Sequence, residues 1–537
     1  MRLSPHKLAL QAGAAQSRRQ STVDPSRRLT PGLLLALLPA LVLLPVVLAP
    51  PFNHDVAAVL QWSQRWLAGE RLYSDLIDVD PPLIFVLSVI PAAMARLLPL
   101  DAVAAFRLCF LAFAGVCWWL SVRVRDRVTE GPAERTVLDV LPALLVVGAG
   151  ADFGQREHLM AVGALPYLLA AARRAAGARP AGWLGSALVG AMAFALKPHF
   201  LAIPALVELC VLAAQLGRGL PHALRDPIPW VMVAAWMLYV ASLPLLFPTY
   251  FSVVLPLTWD FYVDLGELSV WRALIEPRMG TALCLLAPLL WLAFRHPVPL
   301  WQPGGGLPRV LALAAVGAAA AALVERKGWS YHILPITLFA CALGCVLAAR
   351  WVDRLHASVA AANPYRVAAA LASVFVLYTV SNGEAPWKEL RYPGDEVATL
   401  TTLLRANAQG QGVLVLSPAV YPIYPALNYA NAHQTLRTMD MWLLRGSYQQ
   451  CLPDGQRYRQ TWQMGAAEFF VYRTVADDFA RSPPAAVVVD SDPGMPWCGQ
   501  PFDFIAYFSR HPLFAEVWSH YRPAGQEGRF RVYRLQN

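Results

Sequence analysis

A polytopic α-helical membrane protein ending in a small α/β domain is the fold class this sequence predicts, and three observations predict it. Of its 537 residues 57% are hydrophobic and only 15% are charged, against roughly 25% charged in an ordinary soluble chain. Mean hydropathy is +0.43, too high for a chain of this length to bury without lipid. Apolar runs long enough to span a bilayer alternate with short arginine clusters, and after Val380 the composition returns to that of a soluble chain. Dispersed Gly and Pro exclude a collagen-like chain, and eight cysteines are too few for a disulfide scaffold. The net charge of +9 lies in loops between apolar runs, where it orients helices, so no nucleic-acid partner is expected.

Taken in order, residues 1–28 read as a polar, basic cytoplasmic tail without structure, and the apolar run 29–49 is the first span. Further spans are expected near 102–122, 137–150, 159–172, 183–196, 200–216, 228–247, 279–294, 310–324, 333–349 and 367–380, about eleven in all. Arginines mark alternate loops, among them Arg123, Arg125 and Arg127, then Arg173 and Arg174, then Arg350 and Arg354, and the charge rule places these loops in the cytoplasm. The stretch 82–98 would break that alternation as a span, so it reads as an interfacial or re-entrant helix after Pro81-Pro82, with a true span that violates the charge rule as the alternative. The membrane domain is thus 29–380, with 51–100 an outer loop carrying interfacial helices. Residues 381–537 form the outer α/β domain, with helices at 396–406 and 502–509, strands at 412–416 and 485–490, and a hairpin-like pair at 516–522 and 529–535. Its two cysteines, Cys451 and Cys498, are placed to pair in an oxidising compartment; the other six sit in apolar helices as packing residues.

This parity sends every loop rich in ionisable residues to the outer side. The first carries Asp55, Asp78 and Asp80, each readable as a helix cap or turn residue, or as a carboxylate that accepts a proton beside lipid. The second packs Asp152, Arg156, Glu157 and His158 between two apolar helices. Lys197-Pro198-His199 and the run from Glu325 through Arg326, Lys327 and His332 stand at two more outer helix ends. Any one basic group there is explained by snorkelling, but Arg156, Lys197, Arg326 and Lys327 together oppose the charge bias of outer loops, and a phosphate at the lipid surface would compensate them. His54 and His158 lack zinc-ligand spacing. No dedicated metal site is expected, although Asp55 with Asp78 or Asp80 could hold a hard divalent ion.

The order Asp55, amphipathic helix, Gly69-Glu70-Arg71-Leu72-Tyr73, Asp78-Val79-Asp80-Pro81-Pro82, apolar helix and acidic second loop resembles the GT-C superfamily of glycosyltransferases that use lipid-phosphosugars. The resemblance is nearest to its bacterial branch of protein O-mannosyltransferases and aminoarabinose transferases, and it covers the first two hundred residues best. It implies a cavity above the spans that a polyprenyl-phosphate sugar enters from the bilayer, Asp55 as general base and Glu157 as the second-loop acid. Aminoarabinose transferases carry an acidic-Lys-Pro sequence before the interfacial helix. Asp80-Pro81-Pro82 has no lysine, which moves the expected phosphate contact to Arg156, Lys197 or Arg326-Lys327, with His332, His158 and His199 as further polar candidates. The expected activity is inverting sugar transfer from a polyprenyl-phosphate donor to a hydroxyl of a lipid, glycan or protein at the outer face of a bacterial inner membrane, with no required cofactor. A secondary transporter or lipid flippase, and a polysaccharide polymerase or ligase, are the competing readings.

Overall fold

The structure is a computed structural model that describes residues 30–263, 266–295, 297–382, 392–495 and 498–536; the tail expected at 1–28 lies outside them. Each of the expected spans is a helix. Seven are long and apolar enough to cross a membrane: Ala102–Val124, Pro198–Leu216, Pro227–Leu246, Pro277–Phe294, Gly306–Glu325, Ser330–Leu355 and Pro364–Ser381. Pro31–Val47 and Trp183–Ala195 are shorter apolar helices, and Pro132–Val147 and Arg156–Ala175 lie inside the bundle. The chain is a multi-pass membrane protein. Helix Pro227–Leu246 displays the lipid-facing side: Trp230, Met237, Leu238 and Leu245 stand exposed on a helix with few buried residues. Proline at N1 starts several helices without loss of a hydrogen bond, as at Pro31, Pro132 and Pro277. In the centre, Gly317 lets two helices touch, since a Cβ there would stand 2.6 Å from the Cα of Ile203.

The arginine clusters gather at one end of the bundle, where they form buried ion pairs. Arg125 binds Glu130 and Asp139, Arg174 binds Glu208 at 2.7 Å and Asp226 at 2.6 Å, and Arg350 binds Glu134 at 2.6 Å. At the other end, stretch 82–98 is the helix Leu83–Leu97, and its 15 residues span about 22 Å. It packs against the first-loop helix His54–Leu67 and against Ala102–Val124.

The carboxyl-terminal unit is a five-stranded sheet of order β2-β1-β3-β5-β4, formed by β1 Gly412–Leu416, β2 His433–Gln434, β3 Ala486–Asp490, β4 Tyr521–Glu527 and β5 Phe530–Leu535. Strands β1, β2 and β3 run parallel, and β4 and β5 form an antiparallel hairpin. The expected first arm of that hairpin at 516–522 starts too early. Pro512 opens a helix that runs to Trp518 and buries Phe514, whose ring stacks near Trp518, so the strand begins only at Tyr521. The helix expected at 502–509 contracts to Phe504–Phe508, and helix Ala466–Arg481 was not foreseen. Cys451 and Cys498 are disulfide-bonded, with Cα atoms 5.7 Å apart.

This unit sits on the first-loop helix. The Gln61 amide donates to the Ala432 carbonyl and accepts from the Gln434 N–H, Arg65 donates to the Leu436 carbonyl, and Asn428 donates to the Ala57 carbonyl. Each such bond contributes about 1 kcal/mol net, and an orphaned buried partner costs more.

Candidate active site

The helix His54–Leu67 is capped by Asn53, whose Oδ1 accepts from the N–H groups of Asp55 and Val56. The cap role that Asp55 could have filled is therefore taken, and its carboxylate is left for the space between loops. There Asp55 accepts a hydrogen bond from Gln155 Nε2 at 3.0 Å, while the same nitrogen lies 2.9 Å from Asn53 Oδ1. His54 Nε2 stands 3.5 Å from the carboxylate. Burial pushes the Asp55 carboxyl up, but His54, the Gln155 hydrogen bond, Arg156 and Lys197 outweigh it and hold the group below its usual value. The Asp55 side chain keeps 24% of its exposure.

The acidic stretch before Pro81 folds around Tyr73, which adopts a left-handed backbone at φ +66 in a fully buried position. A non-glycine residue there is strained, and strain of this kind persists where surrounding structure over-determines it. The Tyr73 hydroxyl donates to the Asp80 carbonyl at 2.5 Å, which fixes the turn. Asp78 accepts from the Asp80 N–H at 2.9 Å, and burial raises its carboxyl well above the usual range, against Arg156 and with Asp55 adding to the rise. The Asp80 carboxylate meets Arg156 directly. In space, therefore, Arg156 supplies the cation that the stretch Asp80-Pro81-Pro82 lacks in sequence.

At the amino end of helix Arg156–Ala175, consecutive residues face different partners, as the 100° step of a helix requires. Gln155 reaches Asp55 and Arg156 reaches Asp80, whereas Glu157 turns inward, 1% exposed, to Lys197 Nζ at 2.7 Å. Lys197 also binds Glu325 at 2.9 Å, and Glu325 holds His332 Nε2 at 2.7 Å with His199 at 3.6 Å. Asp55, Gln155 and Arg156 line a small pocket, the Asp55 chamber; Lys197, Glu157, Glu325 and His332 form a separate buried network, where the two carboxylates already neutralise the ammonium that was expected to meet phosphate. Glu157, Glu325 and His332 place ligand atoms within 4.8 Å of one another and could hold a metal ion. Lys197 stands between the two carboxylates and supplies positive charge there.

The remaining expected residues divide. Lys327 lies over the Tyr262 ring at 3.8 Å, and burial lowers its pKa to about 8; Tyr262 itself feels the charges of Asp55, Arg156, Asp78 and Asp440. Arg326, the cap of helix Gly306–Glu325 at φ +50, turns away to Glu267. His158 is not brought to the site: buried between Phe110 and Phe153, its Nδ1 accepts from the Gly154 N–H and its Nε2 lies 3.1 Å from the Leu145 carbonyl. His199 joins the network only at its edge. Two members escaped the sequence reading as site residues. Glu325 ends an apolar helix beside two basic residues, and Asp440 sits in the carboxyl-terminal unit, where burial, helped by Asp78 and Asp55, raises its carboxyl to about 7. Tyr421 is exposed, with its ring 5.9 Å from His54, while Tyr424 is core.

The chain thus joins a membrane bundle, a first-loop helix and a second-loop acidic cluster to a carboxyl-terminal sheet docked on that first-loop helix. No family model and no curated protein matches the chain. Among solved structures, the chain is similar to ArnT from Cupriavidus metallidurans, a crystal structure bound to undecaprenyl phosphate, with a TM-score of 0.56 and 14% identity, over 93% of this chain and 97% of that one. At this identity the likeness establishes the shared fold.

Proposed function

We propose that the chain is an inverting glycosyltransferase that moves a sugar from a polyprenyl-phosphate donor to an acceptor hydroxyl at the outer face of a bacterial inner membrane. The observation that carries this reading is Asp55: a carboxylate relieved of the capping role by Asn53, its pKa held below the usual value by His54, Gln155 and Arg156, and set beside the Asp80–Arg156 pair. The fold it shares with a protein that binds undecaprenyl phosphate supports the choice of donor.

In this mechanism Asp55 takes the proton of the acceptor hydroxyl while that oxygen attacks the anomeric carbon from the face opposite the phosphate. The C–O bond to the polyprenyl phosphate breaks in the same displacement, and inversion results. Arg156, with Lys327 across Tyr262, stabilises the negative charge that develops on the departing phosphate. Gln155 positions the Asp55 carboxylate, and Tyr73 fixes the backbone of the turn that carries Asp80. Glu157 acts through Lys197, which fixes the start of helix Arg156–Ala175 and so the placing of Arg156 and Gln155. No metal enters the scheme, and chelation should leave turnover unchanged. The charged groups stand at helix ends, as a transferase at the membrane surface needs and a transporter with a mid-bilayer site does not.

The test is release of polyprenyl phosphate by the purified protein, given a panel of polyprenyl-phosphate monosaccharides and an envelope extract as acceptor source. Release with one or a few monosaccharide donors is the expected result. Release with oligosaccharide donors alone would favour a polymerase or ligase, and no release with either donor class in an acceptor-complete extract would contradict the proposal.

A further inference from the structure

Away from the Asp55 chamber lies a cavity of about 870 Å³ between the first-loop helix, the helix Leu83–Leu97, the start of Ala102–Val124 and the carboxyl-terminal unit. Three arginines from three elements converge on it: Arg96, Arg107 and Arg405. A single carboxylate, Asp101, lines it with them, and that one is engaged in capping the Ala104 N–H. Among the described residues neither Arg96 nor Arg405 forms an ion pair. Arg96 donates to the Leu67 carbonyl and Arg405 to the Tyr429 carbonyl. Arg107 lies 5.7 Å from the Phe52 ring centroid, and its Nε has no hydrogen-bond partner among the described residues. Three guanidinium groups against one carboxylate leave the lining of this cavity net positive.

Beside the cavity the protein is apolar and uncovered. Val86, Ile90 and Leu97 form an exposed ridge on the helix Leu83–Leu97, Leu97 being 81% exposed, and Leu98 and Leu108 continue it. A positive, amide-lined volume flanked by such a ridge matches an anionic headgroup with its acyl chains laid along the helices, because guanidinium groups bind phosphate in charge-assisted pairs. The volume falls in the range of ligand sites. We propose that this cavity binds the anionic, phosphate-bearing headgroup of a membrane lipid, at a site separate from the Asp55 chamber. The separation is visible on the first-loop helix, which offers Gln61, Gln64 and Leu67 to this cavity but Asp55, Val56 and Val59 to the other side. The site bridges membrane helices and the carboxyl-terminal unit, so its occupant ties that unit to the bilayer whether or not the transferase reading holds.

The test reads binding without turnover. Full-length protein in neutral detergent is titrated with phosphatidylglycerol, phosphatidylcholine or inorganic phosphate, and bound lipid is counted by native mass spectrometry. Phosphatidylglycerol should be retained over phosphatidylcholine, with inorganic phosphate competing only weakly. Arg96→Gln and Arg405→Gln, both on exposed side chains, should weaken retention about fivefold each, and Arg405→Glu alone should do so more strongly at unchanged melting temperature. Equal retention of the two lipids, or unaltered retention in the variants, would overturn the proposal. Competition by inorganic phosphate at the lipid's own affinity would show a free-anion site and overturn the lipid assignment.

Discussion

The two ends of the helical bundle use the same residue types to opposite purpose. At the arginine-rich end, Arg174 donates to Glu208 through both terminal nitrogens and to Asp226 through Nε, while Tyr167 and Gln215 saturate the same carboxylates. At the other end Asp55 takes one hydrogen bond from Gln155, burial raises the Asp78 carboxyl well above its usual range, and Tyr73 is held in a strained backbone. Satisfied charge locks a fold together. Charge left poised is available to a substrate, at a cost in stability that the packing around it must offset.

Breaking the locked end should be the costlier change to the fold. Arg174→Met strands the buried Asp226 carboxylate and the part-buried Glu208 and is expected to cost about 3 kcal/mol of stability, read as a large fall in melting temperature, while the protein that remains folded turns over normally. At the working end the order reverses. Glu325→Gln removes one of the two carboxylates that hold Lys197, and the loosened helix start should lower kcat by up to roughly 10²-fold with a small change in melting temperature; an unchanged kcat would detach the buried network from the site. Tyr73→Phe removes the hydroxyl that fixes the Asp80 carbonyl and should cost about 1 kcal/mol, seen as a modest loss in both stability and kcat.

At the working end, pH separates two carboxylates. Asp440 has a folded-state pKa raised to about 7, so the folded chain holds its proton more tightly than the unfolded chain. Stability is therefore greatest below the unfolded value, about 3.9, and declines as pH rises towards 7. Asp440→Asn should flatten that decline in a melting-temperature series. Asp55 has the opposite sign: its lowered pKa adds stability that persists above the unfolded value and is lost only in acid, so the acid limb of kcat/KM should lie below the ordinary aspartate range.

The contrast also marks what could be read from the sequence. Spans were legible because lipid demands long apolar runs, and the arginine alternation sorted the loops that the structure gathers at opposite ends. Asp55 and Arg156 were legible as ionisable groups at helix starts beside lipid. What each group binds was not. Lys197 looked like a free cation because Glu325 is 128 residues away, and nothing local announces that the left-handed backbone at Arg326 turns Glu325 inward and Arg326 outward. Asp440 belongs to a segment of ordinary soluble composition, and only the docking of the sheet brings it near Asp78. His158 misled for the same reason, since an aromatic pocket and two backbone partners are tertiary facts.

The most direct measurement is release of polyprenyl phosphate by Asp55→Asn beside the wild type, with a melting curve for each. Loss of general-base help is typically about 10²–10⁴-fold, so the account predicts a variant that melts like the wild type and is nearly silent. A normally folded Asp55→Asn that releases polyprenyl phosphate at the wild-type rate would contradict it.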